Sequence, residues 1–432
     1  MTSKKIETAI ALRSLAPDQR EKIRCRLLRE HIDTAAQSPY YRHLFAEHGL
    51  DSSLIHTLED IRRFPLTDRR ALDVEGSGFQ AVPDHDIADI SLTSGTTGPA
   101  VKVVYTREDI RRLAMNEALA FWGVGARPGA RYQICVTLDR CFIAGLAYYT
   151  GLIDLGVTAI RSGPGQPARQ WELIHSLSPT GLVGVPTFLL QIGEWARTQG
   201  FSPAKAGITT LVTIGEPIRR PDFSLTPLGE ALTELWGAEI YASYGATELE
   251  TGICECGQGQ GGHVHPELMI AEIVDEEGNV LPDGQPGELV VTPLGVRGFP
   301  LLRFRTGDVA RKYSDPCPCG WSTERIGPIE GRLSQRLKFR GTTIYPETIF
   351  QVLQEIAAVR NAYIEVRSAY DLADEITVVV GCGQEVKPEA ISALLQARLR
   401  ASPRVQITSP EKVLEKMARH GGRKPQKFFD YR

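Results

Sequence analysis

The sequence predicts an α/β protein with a large N-terminal domain of mostly parallel sheets plus a β-rich subdomain, and a small mobile α+β C-terminal domain. Three observations predict it. Between residues 88 and 240, β-rich runs alternate with helical ones, the pattern of a parallel sheet with crossover helices. Residues 268–312 switch to short alternating strands with glycine turns. Past Gly331-Arg332 the pattern changes again, into a unit of about 100 residues with its own strand and helix order. A chain of 432 residues also exceeds what one core sustains. The boundary is set between 332 and 333, with 1–332 as the main body and 333–432 as the terminal module.

The elements follow in order. Apolar positions at helical spacing (Ile6, Ile10, Leu15, then Ile23, Leu27, Ile32) predict amphipathic helices over 6–36. Leu58-Glu-Asp-Ile predicts a short helix stopped by Pro65, with Thr67 offered as the cap of the next. Strands are expected at 90–92, 132–137, 157–160, 181–185 and 210–214, and helices at 107–121, 144–155, 168–177, 187–198 and 225–235. Strands at 269–274 and 287–292 make the β-rich part. In the terminal module, strands are expected at 336–339, 362–366 and 375–380, and helices at 346–357 and 388–399.

Composition narrows the function classes. The chain is 42% hydrophobic and 23% charged, with a net charge of -3, so there is no electrostatic case for nucleic acid or an anionic membrane surface. The N-terminus lacks a signal-peptide core and no apolar run spans a bilayer, so a cytoplasmic protein is expected. Eight cysteines in that setting read as thiols or metal ligands.

The most informative stretch is Ser91-Leu-Thr-Ser-Gly-Thr-Thr-Gly98. Hydroxyls and glycines let a backbone close around phosphate oxygens, and the apolar run after it reads as strand, unlike a Walker loop. A plain hairpin turn is the alternative. Four segments join it: Tyr241-Ala-Ser-Tyr-Gly-Ala-Thr-Glu248, Leu302-Arg-Phe-Arg-Thr-Gly-Asp308, Gly331-Arg332 and Gly421-Gly-Arg-Lys424. In this order they resemble the AMP-forming adenylating enzymes. Ser38-Pro-Tyr-Tyr-Arg, Phe64-Pro-Leu-Thr67 and the short length resemble the phenylacetate-CoA ligase branch.

The resemblance implies ATP, Mg²⁺ and CoA, and activation of a carboxylic acid as its acyl-adenylate before capture by a thiol. It implies that Thr93, Ser94, Gly95, Thr96, Thr97 and Gly98 hold phosphates, and that Tyr244 stacks on adenine beside Ala242, Ser243, Gly245 and the loop Gly215-Glu216-Pro217. Glu248 would coordinate Mg²⁺, a hard cation suited to carboxylates, with Thr247 beside it. Asp308 would accept from the ribose hydroxyls, as an isolated carboxylate at a strand end, and Arg332 would add a charged donor. Lys424, carried on the mobile module, would neutralise charge between the attacking acid and the α-phosphate, then leave. Each also has a bland reading: core tyrosine, solvated glutamate, turn cap, surface arginine, solvated terminal lysine.

Two departures matter. Pro99 follows the loop's last glycine where relatives commonly carry lysine, leaving Lys102 as a candidate replacement. Ser334-Gln335 replaces the usual acidic hinge, whereas Arg340-Gly-Thr-Thr-Ile-Tyr-Pro346 still matches the loop of the thioester-forming pose. Phe142, Gly145 and Ala242 are assigned to the acyl pocket, which leans to an aryl or heteroaryl acid. Arg140 either pairs with Asp139 or Glu250 or reads a second polar group on the substrate.

Cys254, Cys256, His263, His265, Cys317 and Cys319 offer soft and borderline ligands with a compact Cys-Pro-Cys-Gly knuckle, and the resemblance implies Cys256, His263, Cys317 and Cys319 as the ligands, with Cys254 and His265 in reserve. Four protein ligands would close a tetrahedral shell, so structural zinc is expected, against a group of reduced thiols. The resulting expectation is an AMP-forming aryl acid-CoA ligase acting on a small carboxylic acid and CoA, with a homodimer left open. The rivals are an adenylating enzyme with a non-CoA acceptor (carrier protein, amine or cofactor hydroxyl) and a non-catalytic nucleotide-binding regulator.

Overall fold

The structure is a computed structural model and describes residues 3–93, 100–339, 342–368, 374–382, 386–399, 401, 403–418 and 425–432. The chain divides into two compact units, 1–306 with 310–328, and 307–309 with 329–432. The second unit therefore takes residues 307–309 together with the stretch from 329 onward.

The first unit is organised by a sheet of nine strands among the described residues. Five of them, Thr158–Arg161, Arg131–Ile134, Gly181–Gly184, Thr210–Ile214 and Glu239–Ala246, run parallel. Thr251–Glu255, Gly262–His263, Arg325–Ile326 and Lys312–Tyr313 continue it antiparallel. Side chains on a strand alternate between faces, and here both faces are apolar. Val183, Val212 and Tyr241 pack with residues of helices Arg107–Gly123 and Ile143–Leu155, including Phe121, Tyr148 and Leu152. Their neighbours Leu182, Leu211 and Ile240 face the opposite way, against Trp171, Leu189, Leu232 and Trp236. Those four come from helices Pro167–Leu177, Pro186–Thr198 and Pro227–Trp236. The sheet is thus covered on both sides, as continuous Val/Ile/Leu runs require.

Local sequence explains where these helices begin. Proline opens all three helices of the second face, where its missing N–H costs nothing. Thr106 and Asp109 form a capping box at the start of Arg107–Gly123. Asp109 also accepts from the backbone N–H of Arg297 and Gly298, so one carboxylate ties a helix start to a distant loop.

Ser38-Pro-Tyr-Tyr-Arg and Phe64-Pro-Leu-Thr67 are parts of one anchor. Ser38 caps helix Pro39–His48, and the fully buried Tyr41 hydroxyl meets Thr67 Oγ1 at 2.8 Å and accepts from Leu302 N at 2.8 Å. Thr67 is consumed by this network, donating to the Leu302 carbonyl, so it does not cap the next helix. Asp68 does, accepting from Ala71 N at 2.8 Å to open Arg69–Glu75. Strands Met269–Val274 and Gly287–Pro293 form the antiparallel pair expected of the β-rich part.

The second unit carries a four-stranded sheet in the order Arg404–Thr408, Asp374–Cys382, Val359–Ser368, Phe428–Asp430. Helices Pro346–Gln354 and Pro388–Leu399 pack on it through Ile349, Leu353, Ile391 and Leu395 against Ile364, Val366 and Val378. Helix Pro410–Ala418 and the strands at 404 and 428 went unrecognised in the sequence.

Candidate adenylation site and thiol cluster

Strand Ile87–Leu92 pairs antiparallel with Lys102–Thr106, so the hydroxyl-rich stretch does connect two strands. Its base is described: Thr93 donates its N–H to Val101 O at 3.1 Å and accepts from Val101 N on Oγ1 at 2.9 Å. Ser94, Gly95, Thr96, Thr97 and Gly98 lie outside the described residues, as does Lys424. Lys102 is exposed on its strand.

Glu248 sits on the single turn Thr247–Leu249 that follows strand Glu239–Ala246. Its side chain is only 12% exposed, so it is not a solvated loop glutamate. Its Oε1 accepts from Arg69 Nη1 at 3.0 Å, and the same Nη1 donates to Thr93 Oγ1 at 3.2 Å. The turn is held from below by Tyr105, whose hydroxyl donates to the Thr247 carbonyl at 3.2 Å. Burial, with the Glu250 and Glu248 carboxylates nearby, pushes the Tyr105 phenol well above its ordinary value and keeps that donor protonated. Arg69 was missed in the sequence. A readable signal existed, because an arginine directly after a capping aspartate faces the positive end of the helix.

The other assigned residues divide by role. Tyr244 and Gly245 lie in the strand, in register with Ile253 and Gly252. Ala242 donates its N–H to Glu255 Oε2 at 2.9 Å, and Ser243 Oγ accepts from Tyr148 at 3.3 Å. Glu216 accepts from Thr187 N at 3.0 Å, capping helix Pro186–Thr198, with Gly215 at φ 85° and Pro217 beside it. Phe142 is half-buried at the start of helix Ile143–Leu155. Gly145 is needed for packing, since a Cβ there would lie 2.1 Å from the Thr137 carbonyl. Arg140 is 76% exposed with Asp139 at 4.0 Å, so its guanidinium is not buried in an apolar pocket. Glu250 is instead buried beside Arg112, which donates to its carbonyl at 2.7 Å.

In the second unit Asp308 is neither isolated nor at a strand end. It lies within Phe304–Ala310, opposite Arg332 in the register, and its Oδ1 accepts from Arg332 Nε at 3.0 Å. Glu347 was missed: burial raises its pKa, opposed by Arg332 and reinforced by Asp308.

The metal-type residues converge. One ligand atom from each of Cys256, His263, Cys317 and Cys319 falls within 4.8 Å of all the others. Cys256 Sγ and Cys317 Sγ are 3.7 Å apart, and Cys319 Sγ lies 3.4 Å from His263 Nε2. Thr323 Oγ1 meets His263 Nδ1 at 2.8 Å and turns Nε2 toward the thiols. Cys254 packs in the apolar core instead, and His265, though buried, stands outside the four-atom group.

The base of a hydroxyl-rich stretch and a carboxylate-bearing turn at the end of a central strand of the doubly covered sheet meet on one guanidinium, and the sequence comparisons give the class of protein. The profile of the AMP-binding enzyme family matches residues 31–296, and the chain belongs to that family, in its phenylacetate-CoA ligase-like branch. Phenylacetate-coenzyme A ligase of Thermus thermophilus is 32% identical over 353 residues, 80% of this chain and 78% of that one. The enzyme of the same name from Pseudomonas putida is 30% identical over 83% and 79% respectively. A crystal structure of 2-hydroxyisobutyryl-CoA ligase in the postadenylation state shares the fold, with a TM-score of 0.85 at 23% identity over 97% of this chain and 91% of that one. Among the described residues, no helix is long and apolar enough to cross a membrane.

Proposed function

We propose that the protein is an ATP-dependent, AMP-forming ligase that adenylates an aryl or heteroaryl carboxylic acid and transfers the acyl group to CoA. The observation carrying this reading is the meeting of Thr93 and Glu248 on one guanidinium, which brings the base of the hydroxyl-rich loop to the carboxylate suited to Mg²⁺. In the first step an oxygen of the acid attacks the α-phosphorus of ATP, the bond to the bridging oxygen breaks, and pyrophosphate leaves with the electron pair. In the second, the CoA sulfur attacks the acyl carbon and AMP leaves, the thiol proton passing to solvent.

Glu248 would hold Mg²⁺, which shields the phosphate charge when bound. The stretch 93–98 would hold the phosphates, Tyr244 with 215–217 the adenine, and Asp308 with Arg332 the ribose. Residues 1–332 would supply these sites, while 333–432 would move and bring Lys424. Phe142, Ala242 and Ser243 would receive the acid. The names of the curated relatives support an aryl acid and CoA as partners.

Cys256, His263, Cys317 and Cys319 would hold structural Zn²⁺. Tetrahedral zinc with Zn–S bonds of about 2.3 Å spaces its sulfurs roughly 3.8 Å apart. The 3.7 Å separation of Cys256 and Cys317 suits it. Four protein ligands leave no position for a substrate, so the metal would tie the 256–263 and 317–319 loops together.

Acid-dependent ATP–pyrophosphate exchange across aromatic, heteroaromatic and aliphatic acids tests the first step, and thioester formation with and without CoA tests the second. Lys424→Ala is expected to suppress exchange while leaving ATP binding intact. Exchange that no acid stimulates would remove the enzymatic reading.

A further inference from the structure

The stretch Thr93–Val101 contains no lysine or arginine, yet a triphosphate carries about four negative charges at neutral pH, and hydroxyls and amides alone compensate such charge poorly. The cation has to come from another part of the chain. Among the described residues, Arg69 puts a guanidinium within hydrogen-bond distance of that stretch, on Thr93 Oγ1.

Its location is costly by local rules. Arg69 occupies the first position of helix Arg69–Glu75, where the helix dipole disfavours a positive charge. It pairs with Asp73 through Nε at 2.9 Å in the less favourable order, with the cation N-terminal. The backbone nevertheless holds it there firmly, because Thr67 is locked to Tyr41 and Leu302, and Asp68 caps the turn. A residue retained against local preference, on a braced segment and facing an acid and a hydroxyl of a phosphate loop, is typical of a functional position.

We infer that Arg69 binds the β- and γ-phosphates of ATP and the departing pyrophosphate, using Glu248 and Thr93 as its resting partners until Mg²⁺ and nucleotide arrive. This rests on reading 91–98 as a phosphate loop. With Glu248 holding Mg²⁺, Arg69 Nη1 would be released to donate to a phosphate oxygen, so the carboxylate would exchange one cation for another. Arg69 would then neutralise charge on the leaving group as the α-phosphorus bond breaks. AMP, lacking those phosphates, makes no such contact.

The test compares binding of MgATP and of AMP to wild type, Arg69→Ala and Arg69→Lys by calorimetry. One lost charge-assisted contact should weaken MgATP about 10- to 100-fold in Arg69→Ala, with AMP changed less than about twofold and Arg69→Lys falling between. Acyl transfer to CoA from chemically prepared phenylacetyl-adenylate provides the structural control and should be retained in Arg69→Ala. Equal weakening of MgATP and AMP, or equal loss of acyl transfer, would make Arg69 a mere prop for the Glu248 turn. Unchanged MgATP affinity would overturn the inference while leaving the ligase reading intact. Absence of MgATP binding to wild type would overturn both.

Discussion

The Arg69–Thr93–Glu248 group and the Cys256–His263–Cys317–Cys319 group are both built from distant segments, but they solve opposite problems. The first joins groups separated by 24 and 179 positions through one cation that is 27% exposed. The second draws four soft ligands together, three of them buried, with each ligand atom already facing the others. Exchangeable partners suit a site that must bind and release. A closed donor shell suits one that must never let go.

Glu248→Gln tests this contrast most severely. Removing the charge that holds Arg69, and that is proposed to hold Mg²⁺, should lower ATP–pyrophosphate exchange roughly 10²–10³-fold, the usual cost of losing one preorganised electrostatic group. The thermal midpoint should move little. Exchange within threefold of wild type would break the assignment.

Cys317→Ser should do the reverse. Purified wild type is expected to hold one zinc per chain by elemental analysis. The variant should lose it and be destabilised by at least about 3 kcal/mol in denaturant, since metal binding is coupled to folding. A metal-free wild type would leave a cluster of reduced thiols and erase the distinction between the two groups.

Glu117 sharpens the comparison from a third side, as a buried carboxylate whose hydrogen-bond donor is the neutral Asn116 Nδ2, at 3.0 Å. Burial raises its pKa to about 7 from the ordinary 4.5, with only the Asn116 contact opposing. The folded state therefore binds the proton more tightly than the unfolded chain. Stability should fall as pH rises from about 4.5 to about 7, by up to about 3 kcal/mol. Glu117→Gln should remove that slope, matching wild type near pH 4.5 and exceeding it at pH 8 in urea denaturation. Identical slopes would show that Glu117 is ionised throughout.

Arg140→Ala is expected to have the smallest effect. With its side chain 76% exposed, the acid KM in exchange assays should change by less than about twofold. A tenfold rise would instead give Arg140 the substrate-reading role its sequence position suggested.

Much of the architecture was legible because it is encoded locally. Alternating Val/Leu pairs mark strands covered on both faces, and proline or a capping box marks where helices start, so four of the five parallel strands and their crossover helices could be read from short windows, whereas the strand expected at 90–92 pairs in a separate antiparallel sheet. The thiol set could be read too, since paired Cys-x-Cys with nearby histidines is chemically distinctive. Thr67 misled because a threonine before a helix looks like a cap, and only folding reveals that Tyr41 and Leu302 claim its hydroxyl. Asp308 misled in the same way, as its partner Arg332 arrives through strand pairing.

Sequence by itself determined the fold class, the order of most elements of the larger unit and the chemical types available for phosphate, acid and metal. Tertiary structure alone decided which donor meets which acceptor, choosing Arg69 for Glu248, Asp68 for the helix cap and Arg332 for Asp308. The physical reason is range. Backbone preferences and hydrophobic period act over a few residues, whereas hydrogen bonds and ion pairs act over a few ångströms between groups that the chain separates by tens to hundreds of positions.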